Sequence, residues 1–147
     1  MIESPTAPRT VVAGWMLKKA PGNSTEPIGS QIVELAEDVA RFELRDSRTP
    51  FVVYVPTGSL ARGADLVTTG SAGRTLPCAV CHGADLKGLA DVPPIAGRSP
   101  SYLFRQLYDL RGATRKGAAS ELMKPVVANL TDADMVAIAA YLASRGI

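Results

Sequence analysis

The sequence predicts a mainly α-helical domain over residues 58–147, preceded over residues 1–57 by an irregular extension that contains short strands. Three observations carry that expectation. Prolines, glycines and β-branched runs crowd the first segment. Apolar stripes at helical spacing, opened by capping residues, mark the second. A single Cys78-Ala79-Val80-Cys81-His82 run sits among glycines inside it.

In chain order, residues 1–30 include Pro21-Gly22-Asn23 and Pro27, which predicts irregular chain with one strand from Thr10 to Leu17. Gln31 to Leu35 and Phe51 to Val55 are apolar runs rich in β-branched residues and bounded by turn residues, as an antiparallel pair would be. Between them, Glu37 to Arg45 reads as a short helical turn. Two strands are too few for a stable sheet alone, so Trp15, Ile32, Phe42, Phe51, Val53 and Val55 are expected to pack against the following domain or a partner. Pro56-Thr57-Gly58-Ser59 closes the extension. Ser59 is the expected N-cap of a helix running to about Thr69, stopped by Gly70-Ser71-Ala72-Gly73. Ser99-Pro100 opens another helix, striped by Leu103, Leu107 and Leu110 and stopped at Gly112. Pro125 predicts an extended loop over Leu122–Val127. Thr131 with Asp134 forms a capping-box variant for a last helix ending near Gly146.

Two thiols three residues apart can add to the two vinyl groups of one porphyrin, and the adjacent histidine is then held under the ring with its imidazole toward the iron. Zinc or a redox disulfide are the competing readings of C-x-x-C. Zinc needs further ligands, yet Cys78 and Cys81 are the only cysteines and His82 the only histidine of 147 residues. Gly83-Ala84-Asp85-Leu86-Lys87-Gly88 follows the motif, which is loop chemistry and not the helix of a thioredoxin-like site. One covalent haem c is therefore expected. A sixth iron ligand supplied by the protein cannot be a second histidine, and a Met/His pair suits a low-spin electron-transfer haem. Among four methionines, Met1 is terminal, Met16 lies far upstream and Met135 falls in the apolar pattern of the last helix. Met123, in the expected loop, is the candidate ligand beside His82; a gap-filling core residue is its competing reading.

From about Gly58 onward the chain resembles class I c-type cytochromes. The matching pieces are Cys78-x-x-Cys81-His82-Gly83, Pro93-x-Ile95-x-Gly97, Tyr102-Leu103-x-Arg105-Gln106-Leu107, Met123-x-Pro125, and Leu130-Thr131-x-x-Asp134 opening a helix that holds Ala140-Tyr141-Leu142. The resemblance implies a class I cytochrome c fold around one haem, with His82 proximal and Met123 distal. It also implies that the Pro93 carbonyl accepts the histidine Nδ1 hydrogen. Arg98, Tyr102, Arg105 and Gln106 match positions that can bond haem propionates, though each also reads as a solvated helix face. The terminal helix should cross the first one at small residues, Gly63 with Ala137 or Ala140, near Tyr141, with Leu66 and Val67 where an aromatic often stands. Residues 1–77 resemble the region joining two haem domains in two-haem cytochromes.

Composition fits this picture: 46% of residues are apolar, and a large apolar cofactor adds to the core they form. A formal charge of +2 gives no warrant for nucleic-acid binding, and no stretch is long and apolar enough to span a membrane. Redox partner proteins are expected, with Lys87, Arg111, Arg115, Lys116 and Lys124 as candidates for steering an acidic one. Haem attachment in this family occurs outside the bacterial cytoplasm, so a periplasmic location is expected. No signal sequence is visible, and the chain reads as a mature or cut piece of something longer. Electron transfer is the expected function, and the protein is expected not to be an enzyme. The alternatives are a haem enzyme or gas sensor with an open sixth site, or a haem-bearing subunit docked on a larger oxidoreductase. In acid-acetone the colour should stay with the polypeptide, because thioether bonds to Cys78 and Cys81 survive denaturation; haem extracted into the solvent would refute covalent attachment.

Overall fold

The computed structural model describes residues 1–146. The chain divides into two compact units, Met1–Thr57 and Gly58–Ile147.

The first unit is built of short strands: β1 (Ile2–Glu3), β2 (Thr6–Pro8), β3 (Thr10–Ala13), β4 (Met16–Lys19), β5 (Thr25–Pro27) and β6 (Val33–Ala36), then α1 (Val39–Glu43) and β7 (Phe51–Val55). β6 and β7 pair antiparallel with Val33 opposite Tyr54 and Leu35 opposite Val52, and β1 joins β7 in parallel. The expected pair is therefore present, inside a three-stranded sheet. α1 stands between them as the expected helical turn, opened by Asp38, whose carboxylate accepts from the Arg41 N–H at 3.0 Å.

Two expectations for residues 1–30 are corrected. The run from Thr10 to Leu17 is a hairpin and not one strand. Gly14, at φ 65°, supplies the left-handed conformation that reverses the chain between β3 and β4. Residues 1–30 also hold more strand than their prolines suggested. Pro8 and Pro27 lie in the two-stranded β2–β5 pair, where each strand has an open edge and a missing N–H is tolerated. The apolar cluster of this unit is Ala7, Ile28, Val33 and Leu35 with Tyr54 against it. Ile32, expected in such a cluster, falls one residue out of phase: strand periodicity is two, and Val33 and Leu35 share the inward face. Trp15 packs on Phe42, with ring centroids 5.3 Å apart, and Phe42 meets Phe51 edge-on at 5.2 Å. Trp15 nonetheless stays 63% exposed. Val53 and Val55 are buried.

The second unit contains α2 (Ser59–Thr69), α3 (Ala79–His82), α4 (Pro100–Arg111), α5 (Ser120–Val127) and α6 (Asp132–Ser144). α6 packs against α2 and α4, and α5 against α4. Met135 to Ala140 are all buried, so this helix is apolar on every side and forms the centre of the unit. α2 lies close on it at Gly63, where an added Cβ would strike the Ala137 carbonyl and come within 2.7 Å of the Tyr141 Cβ. Leu66 and Val67 are fully buried beside that crossing. α2 begins one residue earlier than expected. Gly58, at φ 86°, is the N-cap and Ser59 is the first helical residue.

The segment around Pro125 is a helix and not the extended loop its proline predicted. The bond that Pro125 cannot make is to the carbonyl of Glu121, an exposed residue in the first turn where water can serve, so the loss is small enough for packing to override. α5 and α6 then meet at a bend of 115°. No single helix among the described residues is long and apolar enough to cross a membrane.

Asp134 ties these pieces together. Its Oδ2 accepts from the Thr131 N–H at 2.9 Å and the Thr131 hydroxyl at 2.8 Å, completing the capping box. Its Oδ1 accepts from Arg62 of α2 at 2.6 and 3.0 Å, and Arg74 stands 3.8 Å from Oδ2. Burial, the largest single influence, raises the carboxyl's affinity for a proton. The bonds from Thr131 and Arg62 together outweigh it and hold Asp134 below the usual carboxylate range. A carboxylate with a depressed folded-state pKa stabilises the fold fully above its unfolded pKa, and that contribution drains away as pH falls through the folded value. Asp134→Asn should cost about 1–3 kcal/mol in urea melts at neutral pH, the range for hydrogen bonds to a charged group. The deficit relative to the parent should shrink in melts at about pH 3.

Candidate functional site

α3 is a single turn that carries Cys81 and the histidine, with Cys78 as its N-cap. Cys78 closes it at the N-terminal end, where its carbonyl accepts from the His82 N–H at 2.9 Å, while its own N–H is bonded to Val67 of α2 at 2.9 Å. The motif is thus anchored on α2. As free thiols, Cys78 is half-buried and Cys81 exposed. Burial, with Cys81 nearby adding to it, pushes the Cys78 thiol up to about 11, so it is uncharged at neutral pH.

His82 is 9% exposed, and its Nδ1 lies 2.8 Å from the Pro93 carbonyl oxygen. A carbonyl can only accept, so Nδ1 carries the proton and Nε2 keeps its lone pair. That tautomer is the one an iron-ligating histidine needs.

The loop after the motif is shaped to deliver that carbonyl. Gly83, at φ 83°, turns the chain, and the His82 carbonyl accepts from the Gly88 N–H at 2.9 Å. The Leu86 carbonyl accepts from both Ile95 and Ala96, at 2.9 and 3.1 Å, and the Gly97 N–H reaches Leu142 of α6 at 2.9 Å. Gly88 has φ 94°, and a Cβ there would lie 2.7 Å from the Val92 carbonyl oxygen and 3.0 Å from the Pro94 nitrogen.

The other predicted residues stand as follows. Met123 is half-buried on α5, and Met135 is fully buried in α6, a core residue. Arg98 is exposed just before α4. Tyr102, Arg105 and Gln106 share one face of α4, by their spacing of three and four residues. On that face Arg105 is 80% exposed and 3.9 Å from Asp109, and Gln106 accepts from Arg115 at 2.7 Å. Sequence reasoning passed over Thr75, whose hydroxyl donates to the Val126 carbonyl of α5 at 2.7 Å, and over Arg62 and Arg74. No local pattern marks these three, because their partners lie 72, 55 and 51 residues away.

Two free thiols at the start and within one turn, and a histidine whose Nδ1 bond leaves the Nε2 lone pair free, fit covalent haem. The cytochrome c family model matches residues 60–146. The chain belongs to the cytochrome c family. Cytochrome c-554(548) of Halomonas halodenitrificans is 37% identical over 89 residues, which are 60% of this chain and 98% of that protein. The thiosulfate dehydrogenase electron acceptor of Stutzerimonas stutzeri is 31% identical over 125 residues, 82% of this chain and 58% of that one. Among solved structures, cytochrome c4 of Acidithiobacillus ferrooxidans superposes with a TM-score of 0.54 at 31% identity, covering 58% of this chain and 49% of that one. The chain thus spans nearly all of the first relative, but only about half of the longer ones. This cytochrome c is an electron carrier with covalently bound haem c and is not itself an enzyme.

Within this cytochrome c, Gly88→Ala should cost about 1–3 kcal/mol of backbone strain. On the reading that His82 ligates the iron, it should also raise the reduction potential, because withdrawing the Pro93 carbonyl makes the imidazole a weaker donor. Gly117→Ala, where an added Cβ meets only the Ser120 hydroxyl at 3.6 Å, is the control. Melting and protein-film voltammetry of the two variants would separate strain at Gly88 from the general effect of an added methyl.

Proposed function

We propose that His82 and Met123 are the axial ligands of one haem c, attached through Cys78 and Cys81. In this reading the chain passes single electrons between a periplasmic donor and acceptor. The observation that supports it is the 2.8 Å bond from His82 Nδ1 to the Pro93 carbonyl, which leaves the Nε2 lone pair for a metal. The haem supplies an iron that alternates between ferric and ferrous states. The protein's own part is to fill both axial positions, so that no bond is made or broken and reorganisation is small. His82 is held in one tautomer by Pro93, and Met123 is carried on a helix anchored at its C-terminal end. Arg98, Tyr102, Arg105 and Gln106 lie on or beside one face of α4, where guanidinium and hydroxyl groups suit the haem propionates.

A place in a larger electron chain is supported by the relative named as an electron acceptor of thiosulfate dehydrogenase. Its similarity covers 82% of this chain, more than the haem unit contains, and so runs into residues 1–57. We read those residues as a docking extension for a dehydrogenase-type donor, with residues 58–147 as the haem domain. A periplasmic location is supported by the kinship with c-type cytochromes, which are typically found there.

Met123→Ala should abolish the methionine–iron charge-transfer band, open the ferrous protein to carbon monoxide and lower the potential. Met135→Ala should keep the band and cost about 2–5 kcal/mol of packing. The opposite pattern would assign the sixth ligand to Met135. Carbon monoxide binding by the unaltered ferrous protein at full occupancy would favour an open-site haem protein over an electron carrier.

A further inference from the structure

α5 is eight residues long and contains Pro125, so it lacks one of its internal hydrogen bonds and is weak in isolation. What holds it comes from outside. A helix end leaves its last carbonyls without partners in the helix. Here Lys124 and Val127 are served locally, by the N–H groups of Ala128 and Leu130 at 3.1 Å each. The Val126 carbonyl is served from 51 residues away, by the Thr75 hydroxyl at 2.7 Å. Just past the helix, the Asn129 carbonyl accepts from Arg74 at 3.4 Å and the Leu130 carbonyl from Arg111 at 2.8 Å.

Thr75 is itself immobilised. It is 6% exposed, its N–H bonds the Gly70 carbonyl at 3.1 Å, and its own carbonyl leaves no room for a Cβ on Gly70. Three residues later Cys78 is bonded to Val67. The segment from Gly70 to Cys78 is therefore fixed to α2 at both ends, and Thr75 is the point where it grips α5. Met123 lies one helical turn before Val126 on that helix.

We infer that Thr75 is a positioning residue for the sixth iron ligand: its hydroxyl pins the end of α5 to the segment that leads into the haem-attachment motif, and so keeps Met123 on the iron. The inference rests on Met123 being that ligand. Removing the hydroxyl leaves the partly buried Val126 carbonyl without its Thr75 partner and frees the helix end. The methionine then competes less well against an external ligand.

The test uses the ferric holoprotein, with imidazole as the probe. Thr75→Val should bind imidazole about tenfold more tightly than the parent, the equivalent of one buried hydrogen bond. Its methionine–iron charge-transfer band should also vanish well below the temperature of global unfolding. Thr75→Ser, which keeps the hydroxyl, should restore both. In a Met123→Ala background, Thr75→Val should change imidazole affinity no further. A Thr75→Val protein that melts lower but keeps the parent's band and imidazole affinity would overturn the inference, and so would a further gain in the double variant. If Met123→Ala alone keeps the band, the ligand assignment fails, and the role of Thr75 falls with it. If Met123→Ala loses the band while Thr75→Val behaves as the parent, only the role of Thr75 fails.

Discussion

The hydrogen bond between His82 Nδ1 and the Pro93 carbonyl, 2.8 Å long, is the constraint around which residues 78–97 are arranged. An imidazole has two nitrogens and can present either to a metal; a carbonyl at one of them removes the choice. Delivering a carbonyl to that point requires the chain to leave His82, turn and come back beneath it. Gly83 and Gly88 make the turn with positive φ, and Leu86 receives the returning strand through two N–H groups on one carbonyl. The loop is then held to α6 through Gly97. A histidine buried to this degree without a partner at Nδ1 would carry an unsatisfied polar atom, so the same bond that sets the tautomer also makes the burial tolerable.

Much of this was legible in the sequence, and the reasons differ by residue. The run of Cys78, Cys81 and His82 could be singled out because its spacing brings the three within one helical turn. The capping box at Thr131 and Asp134 could be read because its two partners are three residues apart. Gly63 at the crossing with Ala137 and Tyr141 followed from the family resemblance, and the geometry agrees, since no side chain fits there. The hairpin at Gly14 was missed because a glycine inside an apolar run does not announce whether it breaks a strand or bulges it. The helix at Pro125 was missed for a different reason. Local rules count the bond a proline loses but cannot see the tertiary bonds that replace it, and here those come from Thr75 and from packing on α4.

The polar ties that escaped sequence reasoning share one property, which is long separation along the chain. Arg62 to Asp134, Thr75 to Val126 and Arg74 to Asn129 all join α2 or the segment after it to the last third of the molecule. Each of them connects the stretch that carries the attachment motif to the stretch that carries Met123 or caps α6. A buried, apolar α6 supplies the free energy of assembly, but apolar contact is non-directional and does not set the register of one helix on another. Asp134 does set it, because a carboxylate that accepts from Arg62 and from Thr131 has both oxygens committed.

This division of labour explains how a short, proline-containing helix can hold its place. Loop-closure entropy must be met before any contact between residues 51 or 72 positions apart can form. Once α6 has docked on α2, however, Val126 is only a few residues from the docked N-terminus of α6, and the remaining closure is short. The Thr75 bond then forms at little further entropic cost, and the helix it caps needs little stability of its own. A long, self-sufficient helix at this position would fix its own end independently of α2. The weak one takes its position from Thr75 and the start of α6, and so from the same scaffold that fixes Cys78 and His82.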